Sequence, residues 1–370
     1  MKILYDHQIF ESHKIGGISR YFTELLKYNS ESRLSIRYSD NVYLNDDYFR
    51  FLNLLSSNYE FDSFLPHIKF RGKGRLVKLI SKSVKKDNKS FSIDILNKSD
   101  FDIFHPTYYD PYFLKYLNGK PFVLTVHDMI HEIFSKNASL DETILNKRKL
   151  ILAANMINVN SENTKRDLLS FYPDIQEKTT VIHHAFSFPI ITNKEKSGNY
   201  ILFTGNRDSY KNFIVLIQAL APILIKYNIN LICTGHPFTV TESVLLKKLM
   251  IFDKVIHKFA NENELYTLYS NAILFVFPSL YEGFGIPVLE AFATCCPALL
   301  SNTSSLPEIG GDAAEYFDPY SIDDMRTKIE AVLCSPARQK ELSLRGLDRA
   351  KLFSLDKMCE KTMDVYKKII

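Results

Sequence analysis

The chain has 370 residues, of which 46% are hydrophobic and 24% are charged, and its net charge is +4. This composition excludes a disordered chain, and the length is sufficient for two domains rather than one. No run of about 18 apolar residues occurs, and the N-terminus carries no secretory signal pattern, so we expect a cytoplasmic protein.

The first half of the chain alternates short apolar runs with helical patterns, which indicates βαβ units and a parallel sheet. Helices are predicted around residues 17–29, 142–153 and 161–171. The predicted strands are "MKILYD", "FDIFHP", "PFVLTVHD", "NMINVNS" and "TTVIHH". Gly16 and Gly17 open the helix after the first strand, and His127 stands at the end of the third. A paired glycine or a histidine in such a place is by itself a weak functional signal.

Residues 71–89, "RGKGRLVKLISKSVKKDNK", contain eight basic side chains and one acidic one. Val77, Ile80 and Val84 recur at helical spacing within this segment. A basic amphipathic helix of this kind suits an anionic membrane surface. An ordinary solvated surface helix with apolar packing underneath explains the same pattern, and both interpretations stay open.

A polar segment at 188–199, "FPIITNKEKSGN", has no periodicity and is predicted to be a linker. The second half of the chain alternates apolar runs with helical patterns more regularly than the first half does. Its predicted strands are "YILFTG", "INLICTG", "DKVIHKF", "AILFVFPS", "PALLS" and "AEYFD", with helical patterns between them. Asn261 and Glu264 form a plausible capping box for one of these helices. A final helix around 355–370 has an apolar face, so it is expected to be docked.

Two doubly wound domains joined by a linker predict a cleft at the carboxyl ends of their strands, where such sheets bind ligands. Arg207 and Lys211 follow "YILFTG" and suit a diphosphate. Glu282 and Glu290 flank Gly283, Phe284 and Gly285 after "AILFVFPS". A turn of this kind before a helix presents backbone N–H groups to an anion, and the two carboxylates can accept from sugar hydroxyls. No zinc-binding pattern is present, and with two cations available for the phosphate charge we expect no metal and no cofactor.

These motifs, taken together and in this order, resemble the retaining glycosyltransferases of family 4, which have the two-domain GT-B architecture. The matching stretches are "GGISRY", "TVHD", "SENTKRDL", "FTGNRDSYKN", "SLYEGFGIPVLEAF" and "SSLPEIGGDAA". They span residues 16 to 314, and the pattern is most similar to bacterial enzymes that build O-antigen or capsular polysaccharide.

The resemblance implies an α/β GT-B fold with two Rossmann-like domains. It divides the chain into an acceptor-binding domain at 1–188, a linker at 189–198, a nucleotide-sugar-binding domain at 199–352 and a helix at 353–370 that packs back on the first domain. It also implies a retaining, metal-independent transfer of a hexose, with mannose favoured, from a nucleotide-diphosphate sugar to a glycan acceptor. A lipid-linked acceptor would place the protein peripherally on the inner face of the cytoplasmic membrane, with residues 71–89 at the anionic surface.

The resemblance also assigns roles to individual residues. Arg207 and Lys211 would hold the donor diphosphate, and Glu290 would accept from the ribose hydroxyls. Glu282, with the amides of Gly283, Phe284 and Gly285, would lie at the donor hexose and distal phosphate. Gly16 and Gly17 would let the first domain approach the donor phosphates or the acceptor. His127 would touch the transferred sugar.

Other functions fit part of the same pattern. A nucleotide-sugar epimerase on this architecture needs no acceptor and would release free epimerised sugar. A non-catalytic nucleotide-sugar-binding partner protein has little reason to keep Arg207, Lys211, Glu282 and Glu290 together. Nucleic-acid binding is not expected, because the chain has no recognised binding motif.

Overall fold

The structure, a computed structural model, describes residues 1–14, 16–37, 39, 41–44, 87–135, 141–186, 188–190, 197–207 and 209–370. The chain divides into two compact units. The first unit comprises Met1–Asn160, Lys165–Ile182 and Asp356–Ile370, and the second comprises Ser161–Thr164 and His183–Leu355. Most of the predicted basic helix at 71–89 lies outside the described residues.

The described residues of the first unit form six short strands, and all of their pairings are parallel. They are β1 (Ile3–Asp6), β2 (Arg33–Ser35), β3 (Ile103–His105), β4 (Val123–Val126), β5 (Met156–Val159) and β6 (Thr179–Val181). They form two ladders of order β2-β1-β3 and β4-β5-β6, and a single parallel bridge between Phe104 and Phe122 links β3 to the second ladder. Strands β1, β3 and β4 consist wholly of buried residues, as expected for strands covered on both faces. Five of the six were predicted, and β2 was missed.

The helices of the first unit connect these strands. They are α1 (Gln8–Ser12), α2 (Gly17–Tyr28), α3 (Ile130–Phe134), α4 (Glu142–Ala153) and α5 (Glu162–Phe171). The first three residues of α5 belong to the second unit. Residues 87–98 are also helical. Helix α4 begins where the Asp141 side chain accepts hydrogen bonds from the N–H groups of Thr143 and Ile144, which satisfies two of the donors that a helix start leaves open.

In the second unit, the residues that the structure describes form a six-stranded parallel sheet of order β12-β11-β10-β7-β8-β9. Its strands are β7 (Tyr200–Phe203), β8 (Asn230–Cys233), β9 (Val255–His257), β10 (Leu274–Phe277), β11 (Ala298–Ser301) and β12 (Ala314–Phe317). All six were predicted from the apolar runs. The strand order reverses between β7 and β10, so the two carboxyl ends that face a ligand crevice in such sheets are those of β7 and β10.

Helices cover both faces of this sheet. They are α6 (Phe213–Lys226), α7 (Val240–Lys248), α8 (Glu262–Asn271), α9 (Ile286–Ala293), α10 (Leu306–Gly310), α11 (Ile322–Leu333) and α12 (Pro336–Ala350). Successive strand residues point to opposite faces, so Leu202 and Phe275 pack in one apolar core while Ile201 and Leu274 pack in the other. The capping box of Asn261 and Glu264 at the start of α8 is confirmed.

The last helix, α13 (Leu355–Lys367), belongs from Asp356 onward to the first unit. Its Tyr366 hydroxyl lies 2.6 Å from His105 Nδ1 and 3.0 Å from the Tyr5 hydroxyl. The His105 Nε2 atom is 2.9 Å from Thr125 Oγ1, and burial lowers the pKa of His105 to about 3. A neutral histidine therefore links α13 to strands β1, β3 and β4.

The parallel sheets and the two units confirm the predicted α/β class. Among the described residues, none of the helices has both the length and the apolar content needed to cross a bilayer.

Candidate functional site

The loops that follow β7 and β10 meet at the point where the strand order reverses. Lys211 ends a short 3-10 helix after β7, and Glu282 lies in the loop after β10. The Lys211 Nζ atom is 2.6 Å from Glu282 Oε1. The backbone N–H of Leu280 donates to the Tyr210 carbonyl at 2.7 Å, which ties the two loops together. The structure therefore brings together a cation and a carboxylate at the edge where a doubly wound sheet binds ligands.

The Lys211 side chain is 15% exposed and that of Glu282 is 11% exposed. The Lys211 ammonium lies 5.1 Å from the centre of the Phe277 ring and 5.3 Å from that of Tyr210. A lysine has three N–H donors, and the bond to Glu282 uses one of them. Among the described residues, the other two donors have no hydrogen-bond acceptor, so they can serve an anionic ligand.

The glycine loop after β10 is held by side chains from two other segments. The Gly283 carbonyl accepts from Ser161 Oγ at 2.7 Å and from Thr164 Oγ1 at 3.1 Å. The Ser305 hydroxyl lies 2.9 Å from the Glu282 carbonyl and 2.9 Å from the Phe284 carbonyl. Three consecutive carbonyls of the loop are thus engaged.

The amide groups of this loop are arranged differently from its carbonyls. The Glu282 N–H donates to Ser304 Oγ at 3.0 Å. Among the residues that the structure describes, no hydrogen bond uses the N–H of Gly283, Phe284 or Gly285 as its donor. Gly285 has φ +104°, a conformation that favours glycine, and it caps helix α9. Amides that precede a helix and carry no partner suit an anion.

Arg207 lies on the other side of β7 from Lys211. Its Nε donates to Glu242 Oε1 at 2.8 Å, Nη1 donates to the Thr234 carbonyl at 3.1 Å, and Nη2 donates to the carbonyls of His236 and Pro237. These bonds account for four of the five guanidinium N–H groups, and the side chain is 4% exposed. Because β7 lies between β8 and β10, a residue after β7 can turn to either neighbour; Arg207 turns to the loop after β8, whereas Lys211 turns to the loop after β10.

Glu290 lies inside α9 and is buried. It hydrogen-bonds with the Tyr269 hydroxyl, whose pKa is raised well above its usual value by burial first and by the Glu290 charge second. The same hydroxyl is 2.9 Å from Thr204 Oγ1, in the loop after β7. Glu290 is therefore linked through Tyr269 to the loop that carries the two cations.

In the first unit, the structure places His127 against the helix that Gly17 begins. The His127 ring packs edge-on against Tyr21 and Phe22 of α2, with ring centres 5.8 and 6.1 Å apart. Gly16 caps α2 with φ 175°, an extended conformation that any residue can adopt, and a Cβ added there would meet no atom within 4 Å.

Sequence reasoning missed the residues that hold these groups in place. Glu242, the partner of Arg207, is the third residue of a helix and forms a capping box with Thr239, a local role that concealed its bond to Arg207. Ser304 and Ser305 lie in the "SSLPE" stretch, whose small polar residues before a helix were a usable signal. Ser161 and Thr164 precede or begin a helix, which is typical of helix caps and concealed their bonds to Gly283.

Comparison with known proteins matches two family models to consecutive parts of the chain. The model described as glycosyl transferases group 1 matches residues 187–348, and the model described as glycosyltransferase family 4 matches residues 74–187.

Two curated relatives are O-antigen mannosyltransferases. The chain is 33% identical over 177 residues to O-antigen chain mannosyltransferase B of Escherichia coli, and the match covers 45% of each chain. It is 30% identical over 161 residues to O-antigen chain mannosyltransferase RfbU of Salmonella typhimurium, covering 43% of this chain and 45% of the relative. The chain thus spans about half the length of these curated relatives.

A solved structure with a similar fold is that of Anabaena Alr3699/HepE in complex with UDP and glucose. It has a TM-score of 0.74 and 14% identity, and each chain is covered completely. A similarity at this identity concerns the fold alone, and it confirms the predicted GT-B fold.

Proposed function

Because the chain belongs to the group 1/family 4 glycosyltransferases, we propose that it transfers a hexose, with retention of configuration, from a nucleotide-diphosphate sugar to a glycan acceptor. Mannose is the hexose we favour, since the relatives named above are O-antigen mannosyltransferases. The acceptor we propose is a growing, lipid-linked surface polysaccharide. The transfer needs no metal ion in this proposal, because protein cations and amides meet the charge of the leaving diphosphate.

The observation that carries the proposal is the 2.6 Å pair of Lys211 and Glu282 at the reversal of the sheet, beside amides that have no partner among the described residues. Glycosyl transfer builds negative charge on the leaving diphosphate, and preorganised donors at that position lower the barrier. Lys211 supplies two further donors, and the amides of Gly283, Phe284 and Gly285 supply the rest. Glu282 orients Lys211 and accepts from a hydroxyl of the hexose.

Arg207 has a different place in the proposal from Lys211. Since four of its five N–H groups are used, at most one can reach a phosphate oxygen. Its main contribution is to hold the loop after β8, with its charge balanced by Glu242. Glu290 is proposed to accept from the ribose hydroxyls, for which its bond to Tyr269 provides a fixed orientation.

The residues of the first unit complete the proposal. His127 is proposed to contact the transferred hexose, and Gly16 and Gly17 to allow close approach of the donor phosphates or the acceptor. The anionic membrane surface remains our proposed partner for residues 71–89. Reversing the charges in 71–89 should then weaken salt-sensitive binding to vesicles that contain anionic lipid.

The proposal is tested by incubating the protein with a panel of nucleotide-diphosphate hexoses and a lipid-linked oligosaccharide acceptor, and weighing the products by mass spectrometry. We expect an acceptor heavier by one hexose and the release of nucleoside diphosphate. Free epimerised sugar without a heavier acceptor would favour the epimerase. Binding of the nucleotide sugar without any product would favour a non-catalytic partner protein.

A further inference from the structure

A buried ion pair lies beneath the turn that carries His127. Glu132 is in α3 and Lys147 is in α4, and the Lys147 Nζ atom is 2.8 Å from Glu132 Oε2. The side chains are 1% exposed for Lys147 and 3% for Glu132. At this burial neither charge can contact a substrate. The pair can act only through the groups that it touches.

The Lys147 ammonium also donates to the Asp128 carbonyl at 3.0 Å. It lies 5.2 Å from the centre of the Tyr109 ring, and the Tyr109 hydroxyl accepts from the His127 N–H at 3.2 Å. Asn160 Nδ2 donates to the His127 carbonyl at 2.7 Å. Three of the four main-chain polar groups of His127 and Asp128 are therefore held by buried side chains from three separate segments.

This arrangement is poorly explained by stability alone. Burying an ion pair costs more than it returns unless all of its polar atoms are satisfied. Glu132 Oε1 is buried and has no hydrogen-bond partner among the described residues. An apolar pair of similar size would fill the same space without that cost, but it could not donate to the Asp128 carbonyl.

We propose that Lys147 and Glu132 are positioning residues that fix the backbone of the His127–Asp128 turn and so hold the His127 imidazole in one orientation toward the substrate. Glu132 orients the ammonium, and the ammonium holds the Asp128 carbonyl. The inference rests on the proposed function, in which His127 contacts the transferred hexose. A loosened turn would reduce turnover more than donor binding, because the diphosphate is held by the second unit.

The test uses the double variant Lys147→Met/Glu132→Met, which removes both charges and keeps the volume. The control, Lys367→Met/Asp364→Met, removes an exposed pair of the same unit. The first readout is the NMR signal of the His127 imidazole in histidine-labelled protein, identified by its absence from His127→Asn. The second is the separation of kcat from KM for the donor.

We expect the His127 signal to shift or broaden in the double variant and not in the control. The kcat should fall by about 100-fold, a loss typical of misplacing a reacting group by about 1 Å, with the donor KM unchanged. An unchanged His127 signal, or a shifted signal with wild-type kcat, would overturn the inference.

Two further outcomes keep the inference separate from the proposed function. If the wild-type protein transfers no hexose, the proposed function fails, and the His127 signal alone decides the positioning role. If the double variant does not fold, Glu132→Gln replaces it, because that change removes the carboxylate charge that orients the Lys147 ammonium and keeps the side-chain volume. Lys367→Met/Asp364→Met remains the control.

Discussion

Lys211→Ala is the substitution that the structure makes most informative. The ammonium has three N–H donors, and its bond to Glu282 leaves two for the donor diphosphate. Each charge-assisted hydrogen bond contributes roughly 1.5–3 kcal/mol. Losing two of them in the transition state raises the barrier by about 3–6 kcal/mol, which lowers the rate by roughly 10² to 10⁴-fold.

The same substitution leaves the Glu282 carboxylate, only 11% exposed, without its cation. This should cost about 1–3 kcal/mol of unfolding free energy, which lowers the melting temperature by a few degrees without unfolding the protein. The assay is steady-state hexose transfer at a temperature well below that midpoint. Lys226→Ala is the matched control, since Lys226 makes an ion pair of 2.8 Å with Glu330 on the surface of the same unit. Normal turnover by folded Lys211→Ala would refute the reasoning.

Three further predictions concern the stability of the fold and the close approach of substrate to a glycine. Arg207→Ala should lower the unfolding free energy measured in denaturant by about 3–5 kcal/mol, because it leaves the buried Glu242 carboxylate without its cation. A loss below about 1 kcal/mol would contradict the claim that this buried pair stabilises the fold. Between pH 6.5 and 5 the unfolded chain protonates His105 while the folded protein, with a pKa of about 3, does not. The unfolding free energy should therefore fall as the pH is lowered, by up to about 1.4 kcal/mol per pH unit for this residue. His105→Asn should remove that part of the slope, whereas His184, whose pKa burial also lowers to about 3, keeps its own part. Gly285→Ala should destabilise the fold by about 1–2 kcal/mol because of its positive φ, whereas Gly16→Ala should leave the melting temperature unchanged and lower only turnover.

Much of the fold was predictable because buried parallel strands appear in the sequence as uninterrupted apolar runs. Strand β10, "LFVF", is an example, and the run alone indicates it. Strand β2 has three residues, begins with an exposed arginine and contains only one apolar side chain, so no run marked it. Local patterns also predicted the capping box at Asn261, because its two bonds join residues three apart.

The sequence could predict which residues lie together in one loop. It could not predict side-chain contacts that depend on the order of the strands in the sheet. The spacing of Arg207 and Lys211 suggests two cations on one ligand. Only the position of β7 between β8 and β10 shows that their side chains turn to different loops. The pair of Lys147 and Glu132 was missed for a related reason: the residues are fifteen apart, on separate helices, and neither belongs to a motif.

The most direct test of the central proposal is the melting temperature of the protein in the presence of nucleoside diphosphates. A ligand at 100 times its Kd stabilises the native state by about 2.7 kcal/mol, which corresponds to a rise of roughly 5–10 °C for a domain of this size. We predict that at least one nucleoside diphosphate produces such a rise in the wild-type protein and that Lys211→Ala abolishes it. A panel in which no nucleoside diphosphate changes the midpoint, or an equal rise in Lys211→Ala, would contradict the account.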